Sequence, residues 1–239
     1  MVAKLSGTTT FNLSLNDIIE EAFERAGQEL RSGYDFRTAR RSLNLLIADW
    51  ANRGINLWTL ETGQQVLTAG TGTYNLPVDT VDLLDHVVRT GTGTNQQDIN
   101  ITRISSSTYL AIPNKNATGR PIQVWINRLS GATDATSAVV YPTINVWPLP
   151  DSSTTYTFVY TRLRRMQDAG DGINGQDIPF RFLPAMVSGL AYYLSLKLPG
   201  SEDRTPMLQQ IYESDWQRAA EEDREKASNR FVPTETFVY

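Results

Sequence analysis

Only one histidine, His86, is available for proton transfer or metal ligation, and the chain has no cysteine. A Ser-His-Asp relay or a histidine metal site would therefore have to be built on His86. It stands in a strand-like run, Asp85-His86-Val87-Val88, with no partner at a spacing that would place a nucleophile or a second ligand, so a structural or solvated role is expected. The loop from Asp168 to Asp177 carries Asp168, Asp171, Asn174 and Asp177 as oxygen donors. An EF-hand needs alternating ligands closed by a bidentate Glu, and this loop has neither, so a linker is expected. Gly70-Thr71-Gly72 and Gly91-Thr92-Gly93 lack the following helix that a phosphate cradle requires and read as hairpin tips. Glu20, Glu21 and Glu24, with Glu221, Glu222 and Glu225, cluster at helical spacing. Nothing fixes any pair of them roughly 5–10 Å apart across a cleft, as a glycosidase would need. The expectation is no catalytic residue, no metal and no cofactor.

Two features suit binding better. Arg162, Arg164 and Arg165, with Arg128 upstream, form the densest basic cluster, which could meet phosphate or an acidic protein surface or could be a solvated rim. The segment Asn229–Tyr239 ends the chain with Phe231, Val232, Pro233, Phe237, Val238 and Tyr239, where a polar finish would be ordinary. Proline forbids continued helix there, and Phe, Val and Tyr favour extended backbone. A docking tail that clips onto another subunit or protein is expected; packing back onto its own domain is the alternative.

The elements that must carry these groups fall into three blocks. Ser14 as N-cap and Asp17 at N3 open a first helix whose apolar face is Leu15, Ile18, Ile19, Ala22, Phe23 and Ala26, ended by Gly27. A second helix follows a short connection, so the two are expected to pack antiparallel. Asp35 is its expected N-cap, Phe36, Ala39, Leu43, Leu46, Ile47 and Trp50 its apolar stripe, and Gly54 its stop. The period then changes. Gln64–Leu67, Thr73–Leu76, Leu84–Arg89, Ile99–Ile104, Ile122–Leu129, Val139–Trp147 and Tyr156–Leu163 read as short strands separated by turn residues, with a helical turn near Tyr109. Helical period returns with Leu183, Val187, Leu190, Leu194 and Leu198, then with Thr205-Pro206 opening a last helix that should run to Ser228. Leu208, Ile211, Tyr212, Trp216 and Ala219 are its inward face.

The predicted fold is α+β: a four-helix bundle with an inserted antiparallel β-sandwich-like domain and extended termini. Its expected parts are a discontinuous helical bundle of residues 14–60 and 179–228, a β domain of 61–166, a linker loop of 167–178 and a docking tail of 229–239. Phe36, Leu43, Leu46, Trp50, Leu190 and Trp216 are the expected bundle core.

Composition narrows the function classes. A hydrophobic content of 40% with 20% charged residues is that of an ordinary globular chain. No apolar run approaches the roughly 18 residues of a membrane span, and the first residues lack the apolar core of a secretion signal. The net charge of −4 opposes a tight sequence-independent grip on nucleic acid, though not the passage of DNA past the protein.

Taken in order, the segments LNLLIADWANRGINLWTLE, LTAGTGTYNLP, ISSSTYLAIPNKNATGRPIQVWINR, INVWPLPD, YTFVYTRLRRMQDAG, DIPFRFLPAMVSGLAYYLSLKLPG and ESDWQRAAEEDREKASNRFVP resemble the head-to-tail adaptor proteins of short-tailed bacteriophages, also called tail tubular or packaged-DNA stabilisation proteins. The resemblance covers roughly Leu13 to Pro233, and its most specific pieces are the Trp58-Thr59 exit of the second helix and the NK-x(3)-G-x-P segment at Asn114–Pro121. It implies a homo-oligomeric ring, a dodecamer, bound beneath the portal protein in the virion and continuing its double-stranded DNA channel without sequence-specific binding. It implies a tail nozzle or tail tube protein as partner on the far side, assembly in the host cytoplasm, no membrane and no catalytic residue. The family's C-terminal segment reaches toward the portal, which falls here on Asn229–Tyr239. Another tail ring component and a carbohydrate-binding or peptidoglycan-acting module are the competing expectations, the latter suggested by Trp125, Trp147, Tyr156 and Tyr160.

Overall fold

The computed structural model describes residues 7, 11, 13–54, 57–128, 139–171 and 173–224. The expected docking tail lies outside the described residues. The chain divides into two compact units, Met1–Leu46 with Ala169–Tyr239, and Ile47–Asp168. The division falls inside the second helix, upstream of the boundary expected after Leu60.

In the first unit, α1 (Leu15–Ala26) begins with a reciprocal capping box. The Asp17 carboxylate accepts from the Ser14 backbone N–H at 2.9 Å, and the Asp17 N–H donates to Ser14 Oγ at 3.3 Å. Two free N–H groups of the helix end are thereby satisfied. Gly27 closes it at φ 81°, and the N–H groups of Gly27 and Gln28 bond back to Glu24 and Phe23, a turn that needs the left-handed residue.

Helix α2 (Gly33–Asn52) starts earlier than expected. Ser32, not Asp35, is the cap: Asp35 sits three residues on and accepts from the Ser32 N–H at 3.1 Å and its hydroxyl at 3.0 Å. The S-x-x-D spacing satisfies two donors where a lone Asp cap would satisfy one.

Helix α4 (Leu183–Ser195) is apolar nearly all round, with Ala185 through Ala191 buried in succession. A helix of this kind must be surrounded. Both α1 and α5 (Thr205–Glu222) pack against it. Gly189 is the point of closest approach: a Cβ there would stand 2.8 Å from the Tyr212 ring of α5 and 3.0 Å from Leu46 of α2. Lys197 just beyond α4 donates to Ser42 of α2 at 2.8 Å, and the Phe182 and Trp216 rings meet edge to face at 5.3 Å. The expected antiparallel pairing of the first two helices is therefore not the organising contact of α1. The apolar surface of α4 draws α1 to itself instead.

Two details of α5 differ from expectation. Thr205 does not cap it; its hydroxyl donates to Ser195 Oγ at 3.0 Å, and a 3-10 turn, Glu202–Arg204, leads into the helix. Ile211 is exposed, while Leu208, Tyr212, Trp216 and Ala219 are buried. Glu222 ends the helix, and Asp223 forms an ion pair with Arg181. The further extension expected to Ser228 falls on residues 225–228, outside those described.

The second unit is built on two four-stranded sheets. In the first, β1 (Leu60–Leu67), β10 (Tyr156–Arg164), β3 (Thr80–Thr90) and β4 (Gln97–Asn100) are antiparallel neighbours in that order. In the second the order is β2 (Thr73–Asn75), β8 (Thr143–Trp147), β7 (Gln123–Asn127) and β5 (Thr102–Ile104). Their inner faces share one core that includes Leu83, Val88, Phe158 and Tyr160 from the first sheet and Tyr74, Val124, Ile126, Ile144 and Val146 from the second. This is sandwich packing, in which alternate residues of each strand point inward. It is not wholly antiparallel as expected: β5 pairs with β7 in parallel, and so does the short bridge of β6 (Thr118–Gly119) with β9 (Leu149–Pro150). Between β5 and β6 lies the one-turn helix α3 (Ser106–Leu110), capped by Ser105.

Candidate interaction surfaces

The basic cluster of the sequence proves to be spent inside the β unit. Arg162 on β10 is buried and donates to Asp79 Oδ1 at 2.6 Å, to Glu61 Oε2 at 2.6 Å and to Thr80 Oγ1 at 3.0 Å. Arg164 pairs with Glu61 at 2.8 Å, and Arg165 donates to the Val78 carbonyl at 2.7 Å. Arg128 and Arg103 share Asp82, at 3.2 and 2.9 Å. The guanidinium groups of Arg162 and Arg164, 11% and 13% exposed, tie β1, β10 and the turn before β3 together and have little surface left for phosphate, whereas Arg128 and Arg165 remain exposed. Burial would push the Asp79 carboxyl up, but the hydrogen bond and charge of Arg162 outweigh it and hold it below the usual range.

His86 on β3 lies half-buried against the Phe158 ring, centroids 5.8 Å apart, with Nδ1 buried and without a hydrogen-bond partner. Burial pushes its pKa down, and the nearby Arg103 charge adds to this, against smaller opposing effects of Asp85, the Ile101 backbone and Asp82. The unfolded chain then binds the proton more readily than the fold does. The contribution of neutral His86 is fully present above its ordinary value of 6.5 and is lost as pH falls through the lowered folded value. Acidifying below about 6.5 is expected to lower the urea midpoint of the wild-type protein, and His86→Phe should remove that part of the pH dependence while leaving the acid limb of the carboxylates. Equal slopes for the two proteins would contradict the assignment.

The oxygen-rich loop does not converge on a point. Asp171 reaches out to Arg40 at 3.3 Å, Ala169 N–H donates to Asn44 Oδ1 at 2.9 Å, and Gln176 Nε2 donates to the Ala169 carbonyl at 3.3 Å. Among the described residues no group of His, Asp and Glu is placed to hold a metal ion.

The expected core residues are found at these places: Leu43, Leu46, Trp50 and Leu190 are fully buried, Trp216 nearly so, and Phe36 is half-buried. Sequence reasoning missed the exposed apolar residues of the helical unit. Phe11 and Phe180, 66% and 57% exposed, stack with ring centroids 5.5 Å apart beside Leu13 and the exposed Ile173. On α2, Tyr34 and Leu45 are 65% and 59% exposed on a stripe completed by Arg37, Thr38 and Arg41. The signal was present as the three- and four-residue recurrence of these positions, opposite the core stripe.

The segments that carried the family resemblance have definite structural work. Trp58 belongs to a 3-10 turn, Leu57–Thr59, and its carbonyl accepts from Arg164 Nη2 at 3.4 Å. Lys115 donates to the Leu110 and Ile112 carbonyls at 3.1 Å each, closing the end of α3. The Asn114 carbonyl accepts from the Trp147 indole N–H at 2.9 Å, and Gly119 pairs with Pro150 across β6 and β9. In the Gly70-Thr-Gly72 turn, Gly70 has φ 75°, and a Cβ at Gly72 would stand 2.7 Å from the Leu149 side chain. A sequence model of a family described as SU10 adaptor protein matches residues 13–234. The chain belongs to this family. SU10 adaptor proteins are adaptors of bacteriophages, so the protein is a structural adaptor of the phage virion. No curated protein matches the chain. No described helix of this SU10 adaptor is long and apolar enough to cross a membrane. The surfaces of interest are accordingly those that meet other proteins, and the exposed apolar stripes of the helical unit are the first candidates.

Proposed function

We propose that this SU10 adaptor forms a ring, a dodecamer, beneath the portal protein, extends the DNA channel and presents the surface on which the tail assembles. The observation that carries the reading is the family match over residues 13–234. The chemistry is consistent with it. A closed ring needs two different side faces on each subunit, and we read the four long helices as a bundle-like wedge that supplies them. The β unit is read as a domain inserted between the second and fourth helices, and the wall of the channel as a surface that lets double-stranded DNA pass. A net charge of −4, with Arg162, Arg164 and Arg128 of the densest arginine cluster paired to Glu61, Asp79 and Asp82, opposes a grip on the phosphate backbone. The portal lies on one side and a tail nozzle or tail tube protein on the other; the segment with Phe231, Val232, Pro233, Phe237, Val238 and Tyr239 is the proposed portal-docking tail. In this reading the protein carries out no reaction and uses no metal.

Mass photometry of the purified protein with and without its portal tests the reading. A discrete closed ring of about twelve copies, the number the resemblance to head-to-tail adaptors implies, is expected on the portal. Monomers that leave the portal mass unchanged would overturn it.

A further inference from the structure

Helix α2 has a second long stripe that the helical unit leaves uncovered. Tyr34, Arg41 and Leu45, with Arg37 and Thr38 three and four residues beyond Tyr34, share one stripe opposite the buried Ala39, Leu43, Leu46, Ile47 and Trp50. Tyr34 and Arg41 form a ridge between two grooves, of about 510 and 610 Å³. Arg37 and Arg41 have no carboxylate partner among the described residues: Arg37 donates to the Gly33 carbonyl at 3.3 Å and Arg41 to Thr38 Oγ1 at 3.3 Å. This contrasts with the β unit, where Arg89, Arg103, Arg128, Arg162 and Arg164 each meet an acid.

Helix α1 carries the opposite sign. Asp17, Glu20 and Glu24 are exposed on one stripe, and neither Glu20 nor Glu24 forms an ion pair among the described residues. Both helices thus hold two unpaired like charges four residues apart, Arg37 with Arg41 and Glu20 with Glu24. At 1.5 Å rise per residue each pair spans about 6 Å, so the two pairs are equal in pitch and opposite in sign. No ion pair joins them within the chain.

We propose that the Tyr34–Leu45 stripe of α2 docks on the Asp17–Glu24 stripe of α1 from a second copy of this chain. The contact is heterologous: each subunit offers its basic stripe to one neighbour and its acidic stripe to the other, which is what a ring requires. Tyr34 and Leu45 add apolar contact at the two ends of the stripe, on either side of the arginines, and both Tyr and Arg are enriched at protein interfaces. A phosphate backbone would use the arginines and leave Tyr34 and Leu45 wet. The proposal rests on the ring reading and specifies which helices form its seam.

Charge reversal tests it. One variant carries Arg37→Glu with Arg41→Glu, so both of its stripes are acidic; the other carries Glu20→Arg with Glu24→Arg, so both are basic. Circular dichroism first establishes that each is folded. Assembly on the portal is then followed by mass photometry and negative-stain microscopy beside the wild type. Each variant alone is expected to lose the ring, and an equimolar mixture to regain it, because alternating subunits again oppose unlike charges. Rings formed by either variant alone, or failure of the mixture while the wild type assembles, would overturn the seam and leave the ring reading standing. A wild type that forms no ring overturns both. If the arginine variant assembles normally but no longer retains a short DNA duplex that the wild type binds, the stripe is a phosphate site and the seam is wrong.

Discussion

Replacing Trp50 by alanine is expected to lower the unfolding free energy by about 3–5 kcal/mol, the range for emptying a fully buried aromatic site. Trp50 is 0% exposed and stands first among the fully buried side chains by volume. It lies on the last turn of α2, one turn beyond Leu46, on the same stripe as Leu43. The chain leaves the helix directly afterwards: Arg53 N–H bonds back to the Trp50 carbonyl at 3.1 Å and Gly54 takes φ 134°. A helix end that must turn at once into the Leu57–Thr59 segment has little freedom to collapse into the space an indole leaves, which places the cost toward the upper part of that range. Urea melts of wild type and Trp50→Ala with equal slopes would report the difference directly. A shift equivalent to well under about 1 kcal/mol would mean that Trp50 packs nothing that stabilises the isolated protein. Trp50→Phe should recover much of the loss, because it restores most of the apolar volume.

Deleting residues 230–239 is expected to abolish binding to the portal while leaving the melting temperature of the isolated protein nearly unchanged. Ordering some eleven residues costs on the order of 10–20 kcal/mol of backbone entropy. Burying Phe231, Val232, Phe237, Val238 and Tyr239 returns about 1.5–3 kcal/mol each. The two sums nearly cancel, so a single tail binds weakly. In the proposed ring, many tails against one portal would multiply the weak contact through effective concentration, and the loss on deletion is expected to be correspondingly steep. Phe237→Ala with Tyr239→Ala should reproduce most of the effect without shortening the chain. If the deletion instead melts several degrees earlier and still docks, the tail belongs to its own unit. Loss of self-assembly before any portal is added would make a neighbouring subunit the recipient.

The helices of this protein are legible in its sequence because their signals are local. Ser14 with Asp17, Gly27, and Pro206 behind Thr205 mark ends within a few residues, and the recurrence of Leu43, Leu46, Ile47 and Trp50 marks a buried face. Even so, Asp35 fits a lone cap by type as well as it fits the Ser32-x-x-Asp35 box, and the period that includes Ile211 does not say how wide a stripe the neighbours cover. The β unit shows a different limit. Ile99–Ile104 looks like one strand, yet its first half pairs with β3 in one sheet and its second half with β7 in the other. An alternating pattern looks the same on both sides of a crossover, so nothing local marks the change of sheet. The parallel bridge at Thr118–Gly119 consists of two residues and leaves no periodic trace.

The candidate surfaces divide along the same line. That Arg162 and Arg164 cluster is plain from the sequence; that they are neutralised is not, because Arg162 finds Asp79 and Glu61 from 83 and 101 residues away. The uncovered stripe of α2 needed burial as well as spacing. By residue type Tyr34 and Leu45 suit a core, and only their exposure places them at the surface.

The central claim is the place of this protein in the virion, and cryo-electron microscopy of the phage neck tests it most directly. With the symmetry of the portal imposed only after classification, the account expects a ring between portal and tail into which the helical and β units fit. The rotational order of that ring should match the portal's. A neck in which the portal meets the tail without such a ring, or a ring that fits these units only at the far end of the tail, would contradict it.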